Sequence, residues 1–201
     1  MDRRKFITYS VAASTIAPAA MAQDAAEIAI TEMSLGNPDA SVTMIEYASF
    51  TCPHCANFHL NVMPELKTNY IDTGKIKFIY REVYFDRLGL WGGMLARCGG
   101  AEKYFGIVDM LYKRQREWTS GGGTEVADNL YKIGRIAGLK NEDMVACLQD
   151  QDMAKALIAD YQKNAEADGV NATPSFIING VKHDNQAYGA FKKVLDAQLE
   201  S

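Results

Sequence analysis

A second pair of metal ligands, long apolar runs and internal repeats are all missing from this chain, and each absence narrows what it can do. It has only four cysteines and three histidines in 201 residues. Cys52 and Cys55 are close together, but Cys98 and Cys147 stand alone, so no second close-spaced pair completes a zinc site. His59 belongs to the same predicted helix as Cys55 and adds no independent metal-binding arm. No apolar stretch is long enough, or free enough of polar residues, for a strong membrane span. Neither sign of charge dominates: 21 Lys and Arg against 25 Asp and Glu leave −4, which argues against a nucleic-acid footprint. Gly121-Gly122-Gly123 lacks the strand-to-helix setting of a phosphate loop, and no low-complexity tract or linker appears. What is present, 48% apolar and 23% charged residues, is the balance of a globular protein with one domain, or one domain carrying an insertion.

The first 22 residues are written differently from the rest. Asp2-Arg3-Arg4-Lys5 is basic, Phe6 to Ala20 is rich in Ala, Ser, Thr and Ile, and Ala20-Met21-Ala22 reads as a cleavage site before Gln23. This is the pattern of a bacterial export signal, so a periplasmic location is expected. Arg3-Arg4-Lys5-Phe6-Ile7 also fits the twin-arginine route, although an ordinary secretory signal can hold two arginines. Without the signal's three basic and one acidic side chains, 18 basic groups face 24 acidic ones. Export also changes how the cysteines are read, because an oxidising compartment converts thiols to disulfides unless a site keeps them exchangeable.

Residues 24–40 hold a short apolar segment and the turn signal Gly36-Asn37-Pro38-Asp39. Val42 to Phe50 is β-branched and aromatic, which predicts a buried strand. After Pro53, Phe58, Val62, Leu66 and Tyr70 recur at helical spacing, with a kink expected at Pro64 because it lacks an N–H donor. Lys75 to Tyr84 predicts a second strand, giving a β-α-β unit that favours parallel pairing. Helical periods then cover Leu88–Cys98, Ala101–Trp118, Thr124–Ala137, Asn141–Leu148 and Gln151–Ala167. Asn179-Gly180, between extended runs, predicts a hairpin, and Tyr188–Leu199 a last amphipathic helix. The expected division is an export signal over 1–22, a domain formed by 23–85 and 151–201, and a helical insertion over 86–150.

Cys52-Pro53-His54-Cys55 sits where the first strand gives way to a helix. Pro53 suits the first helical position, where a missing N–H costs nothing. Cys52 is thereby placed at the helix N-terminus, where free N–H groups and the positive end of the helix dipole favour a thiolate. His54 is expected to add a hydrogen bond or positive charge. Cys55, one turn inside, is close enough to bridge, so Cys52 is the nucleophile and Cys55 the resolving thiol. The redox-active disulfide would itself be the cofactor, with no metal or other group required.

Glu46-Tyr47-Ala48-Ser49-Phe50-Thr51-Cys52-Pro53-His54-Cys55, together with Thr173-Pro174-Ser175-Phe176 and the helical block between them, resembles the DsbA family of thioredoxin-fold proteins. The likeness spans roughly residues 24–199. It implies an α/β fold, a thioredoxin fold with an inserted all-helical domain, and the activity of a periplasmic thiol:disulfide oxidoreductase that donates disulfides to reduced exported proteins. It further implies a cis peptide before Pro174, with Thr173 near the Cys52 sulfur. Glu46 would be an acidic residue beneath the disulfide, acting as proton acceptor for Cys55, with Lys77 or Arg81 as its partner. Re-oxidation would need a DsbB-type membrane quinone reductase. A thiol whose pKa fell from about 8.5 to near 4 would gain roughly 6 kcal/mol as thiolate. About 7 kcal/mol separates thioredoxin-like from DsbA-like potentials. The second figure comes from the family itself, so the agreement is a consistency check.

Rival readings share the scaffold or the thiols. A reductase or isomerase is one, although no dimerisation segment appears between Gln23 and Val42; a glutathione-dependent isomerase is another, although such relatives generally lack the second cysteine. A metal or thiol chaperone for respiratory-complex assembly is a third. Cys98 and Cys147 are expected to form a structural disulfide, closing a loop of about 50 residues for roughly 4 kcal/mol; two buried free thiols are the alternative. His59 reads as a helix-surface or packing residue and His183 as exposed. Phe58, Met63, Met94 and Met110 read as core more readily than as the lining of a peptide groove.

Overall fold

The computed structural model describes residues 28–200, so the export signal expected over residues 1–22 lies outside the described residues. Strands β1 (Met33–Gly36), β2 (Val42–Ala48), β3 (Ile76–Glu82), β4 (Ser175–Ile178) and β5 (Val181–Asp184) form a sheet in the order β1-β3-β2-β4-β5. β2 and β3 run parallel, joined by helix α1 (Pro53–Asn61), α2 (Met63–Leu66) and a π-helical stretch, Lys67–Ile71. The interruption after Asn61 falls where Pro64 cannot donate to the helical ladder. The remaining pairs are antiparallel. β1 has no counterpart in the sequence reading, since four residues on a sheet edge carry too little alternation to register. The β4–β5 hairpin turns on Asn179 and Gly180, at φ 45° and 81°, the left-handed pair that a two-residue turn of this kind demands. His183 lies within β5 and is half-buried, which corrects the exposed position expected for it.

Helices α3 (Arg87–Cys98), α4 (Gly100–Lys113), α5 (Gln115–Trp118), α6 (Gly123–Ile136) and α7 (Asn141–Gln149) form the block between the two halves of the sheet. They are followed by α8 (Gln151–Ala167) and, after the hairpin, α9 (Tyr188–Leu199). The single helix expected over Ala101–Trp118 is two, because Arg114 leaves the helical region at φ −110°, ψ 17°. α3 starts at Asp86, whose carboxylate accepts from the Gly89 N–H at 2.9 Å, an N-cap that satisfies one free donor.

The period-two alternation of the central strands separates two faces. Val42, Met44 and Ala48 of β2, with Phe78 and Tyr80 of β3, join one large apolar cluster. Tyr47 and Ile177 sit in a smaller cluster with Ala165 of α8. The large cluster continues through Phe58 and Phe191 into Leu95, Trp118, Leu130 and Met144, so the helical block and the sheet share one core. Phe58 and Met63 are buried in that core, Met110 packs against it, and Met94 is buried as well. Each fully buried side chain of this size contributes about 1.5–3 kcal/mol.

A disulfide fastens the helical block internally, and a cluster of polar bonds on Glu82 ties it to the sheet. Cys98 at the end of α3 and Cys147 in α7 are joined by a disulfide spanning 49 positions. At the end of β3, Glu82 is held by both arms of Arg97 from α3 (Nε to Oε1 and Nη2 to Oε2, each 2.7 Å). The Tyr104 hydroxyl of α4 also donates to Glu82 Oε1, at 2.7 Å. Removing the cation would strand a carboxylate that is only 5% exposed. Arg97→Leu is therefore expected to cost about 3–5 kcal/mol in urea unfolding with the Cys98–Cys147 bond kept oxidised. A loss below about 1 kcal/mol would show that Glu82 is solvated in the folded protein.

Candidate active site

β2 ends at Ala48, and Ser49 to Thr51 form a short loop before α1. Cys52 is the N-cap of α1 in an extended conformation (φ −77°, ψ 120°), and Pro53 follows at the first helical position. The loop is held from the helical block. Gln115 of α5 donates from Nε2 to the carbonyls of Phe50 (2.8 Å) and Cys52 (2.9 Å). Thr51 Oγ1 donates to the Asp86 carboxylate at 2.6 Å. Gly92 of α3 lets this helix approach closely, since a Cβ there would lie 3.3 Å from the Phe50 side chain. Neither Gln115 nor Asp86 stood out in the sequence; a buried glutamine after a helix break is visible only once its partner carbonyls are in place.

The two free thiols differ sharply in surroundings. Cys52 is partly exposed and Cys55 fully buried. The Cys52 thiol is pulled down to about 5, first by the hydrogen bond from the Cys55 thiol, against the opposing effect of its own burial. The Thr173 side chain and the backbone N–H groups of Cys55 and His54 add to the lowering. The Cys55 thiol is pushed far above its ordinary value, first by burial, then by its bond to Cys52 and the negative charge of Glu46. His54 therefore reaches the sulfur through its backbone N–H, while its side chain stands exposed on the surface.

The residues before β4 complete the site. The Thr173–Pro174 peptide is cis, and the Thr173 carbonyl lies 3.4 Å from Cys52 Sγ, within reach of a donated S–H. Thr173 acts in two senses: its carbonyl favours the thiol, its side chain the thiolate. With three further donors on the thiolate side, the balance favours the anion.

Glu46 is fully buried on the face of β2 that carries the main core. Lys77 and Arg81 do not pair with it, which corrects that expectation. Both occupy the alternate positions of β3 and pair with Glu32 (3.6 and 3.1 Å), Arg81 also with Asp168 (2.9 Å). The β3 residue in register with Glu46 is Tyr80. Glu46 Oε2 instead meets His59 Nε2 at 3.0 Å. His59, expected to be a bland helix residue, is stacked on Tyr112 with ring centres 4.1 Å apart, and Tyr112 shares a 2.6 Å hydrogen bond with Tyr80. The signal that could have found His59 is its place four residues after Cys55, on the same side of α1.

Comparisons with known proteins agree with this geometry. A family model described as thioredoxin matches residues 29–197. A Rickettsia bellii relative, provisionally named a protein-disulfide oxidoreductase, is 35% identical over 170 residues, covering 84% of this chain and 65% of its own length. The Bacillus subtilis disulfide bond formation protein D is 26% identical, over 83% of this chain and 76% of that protein. The crystal structure of Wolbachia pipientis alpha-DsbA1 is 32% identical, with a TM-score of 0.77 over 84% of this chain and 91% of that one.

Ultraviolet thiolate absorbance of the reduced protein is expected to titrate near pH 5. The Cys52 pKa is depressed from an ordinary 9.0. Ionisation therefore stabilises the reduced form fully above about pH 9, and the effect is lost as pH falls through about 5. Thr173→Val, which removes a hydroxyl serving the thiolate, should move the midpoint upward. An unperturbed thiol midpoint in the unaltered protein would exclude Cys52 as an activated nucleophile.

Proposed function

This chain belongs to the DsbA family of thioredoxin-fold proteins, and we propose that it works as a thiol:disulfide oxidoreductase that donates the Cys52–Cys55 disulfide to reduced exported proteins. The carrying observation is the asymmetry of the pair: Cys52 is held near 5 while burial and negative charge push Cys55 up. A substrate thiolate attacks the accessible Cys52 sulfur, the bond to Cys55 breaks, and a mixed disulfide forms. A second substrate thiol then displaces Cys52, which leaves readily because it is stable as an anion at neutral pH. The same stability makes the reduced enzyme favourable, and hence the disulfide a strong oxidant.

In this reading the disulfide is the only redox group needed. The cis peptide before Pro174 presents backbone beside Cys52 for a substrate segment, and Glu46 takes and returns the Cys55 proton. The basic and small-residue pattern of residues 1–22 supports export to the periplasm. Re-oxidation is assigned to a DsbB-type quinone reductase in the membrane. The chain spans 65% of the length of the Rickettsia bellii relative, so activity, clients and partners are read from this chain's own site and not carried over whole.

Equilibration with reduced and oxidised glutathione tests the direction of transfer. The expected potential lies toward about −120 mV, well above the roughly −270 mV of a thioredoxin. A value near the thioredoxin end would overturn donation in favour of a reductase.

A further inference from the structure

Every turnover moves a proton on or off a sulfur that solvent does not reach. Cys55 and Glu46 are both 0% exposed. Glu46 is in register with Tyr80 across β2 and β3, Tyr80 and Tyr112 share a 2.6 Å hydrogen bond, and the charge of Glu46 acts on Cys55, so the four groups lie within electrostatic reach of one another. Glu46 can receive the Cys55 proton, but a sealed carboxyl must itself exchange with water before the next cycle. Its Oε1 has no hydrogen-bond partner among the described residues, while Oε2 meets His59 Nε2 at 3.0 Å. His59 differs from these neighbours: 9% of its side chain remains exposed, and it lines a surface hollow with Leu35, Met63, Phe105 and Lys113.

We propose that His59 is the proton relay between buried Glu46 and solvent, a positioning residue that acts on Cys55 only through the carboxylate. The proposal rests on the thiol:disulfide reading above. When a substrate thiolate attacks Cys52 Sγ, the Sγ–Sγ bond breaks and Cys55 takes the electron pair. The Glu46 carboxyl gives Cys55 its proton and becomes a carboxylate, and His59 refills it with a proton from water in the hollow. Re-oxidation runs the same transfers outward, with the two electrons leaving through the oxidising partner. An imidazole suits the task because it gains and loses a proton within the neutral range and can hold one on either nitrogen.

The groups facing His59 fit this role. Glu46 approaches from β2 and Tyr80 from β3, edge-on at 5.8 Å between ring centres. Tyr112 of α4 stacks on the ring and holds its plane. At the rim of the hollow, Lys113 is paired with Asp109 at 2.8 Å, and Lys67 with Asp72 at 2.5 Å. Their charges are thus partly cancelled before they reach the ring.

The test uses the full chain and dithiothreitol as the probe thiol. Oxidised protein is mixed with it, quenched in acid and alkylated, and the fraction of free Cys55 is followed by mass spectrometry across pH 5 to 8. His59→Gln keeps a hydrogen-bond donor for Glu46 but cannot carry a proton. It should release Cys55 at least about ten-fold more slowly, below the roughly 10²–10⁴ of a direct acid–base group, and with a pH profile that has lost its inflection. An unchanged rate overturns the relay, and so does a slower rate that keeps the original pH profile, because that marks a purely structural loss. Should the variant fail to fold, the unaltered protein decides: the inflection in its rate must coincide with the His59 imidazole titration seen by NMR, and a mismatch overturns the proposal. If oxidised glutathione fails to form a Cys52–Cys55 disulfide at all, the underlying reading falls instead, a result distinct from either.

Discussion

The site depends on one placement: the Cys52 sulfur at the first turn of α1, where N–H groups have no carbonyl to meet. Pro53 sets the start of that helix, and the cysteine before it is left extended at the cap, with no side-chain cap hydrogen bond of its own. Once ionised, its sulfur can take the role a serine or aspartate oxygen fills elsewhere. The rest of the architecture keeps this cap in position. Gln115 holds the carbonyls on either side of Thr51, Asp86 holds the Thr51 hydroxyl, and the residues before β4 close over the sulfur.

This explains why an inserted helical block belongs to the chemistry and not merely to the shape. The block is continuous with the sheet's core, and its polar ties fall on the active-site loop and on Glu82. Glutamine suits the first purpose because one amide nitrogen carries two donors and can serve two carbonyls without introducing charge. At Glu82 a charged partner is required, because a carboxylate removed from water is tolerable only with full pairing.

Beneath the cap the chemistry is inverted. Cys52 sits among donors at the surface; Cys55 sits among aromatic rings and a carboxylate, where a charge is costly. One helical turn thus separates a sulfur that favours its anion from one that favours its proton. Exposure directs the attacking thiolate to Cys52, and the stability of the Cys52 anion then drives its release in the second exchange.

The sequence by itself determined what depends on near neighbours. The Cys52 cap follows from Pro53 and the strand before it, the hairpin from Asn179-Gly180, and the break after Asn61 from Pro64; each is fixed by the covalent and steric properties of a few adjacent residues. Glu46 was legible as buried from its place in an apolar strand, but its partner was not. Lys77 and Arg81 looked suitable by charge, yet strand alternation turns them to the opposite face and brings Tyr80 into register instead. Only the tertiary structure decided that His59 meets Glu46, while the place of Thr173 beside Cys52, 121 positions away, was implied by the family resemblance and by no local pattern. Such contacts arise where faces of separate elements meet, and packing of the whole core, not any local preference, sets which faces those are.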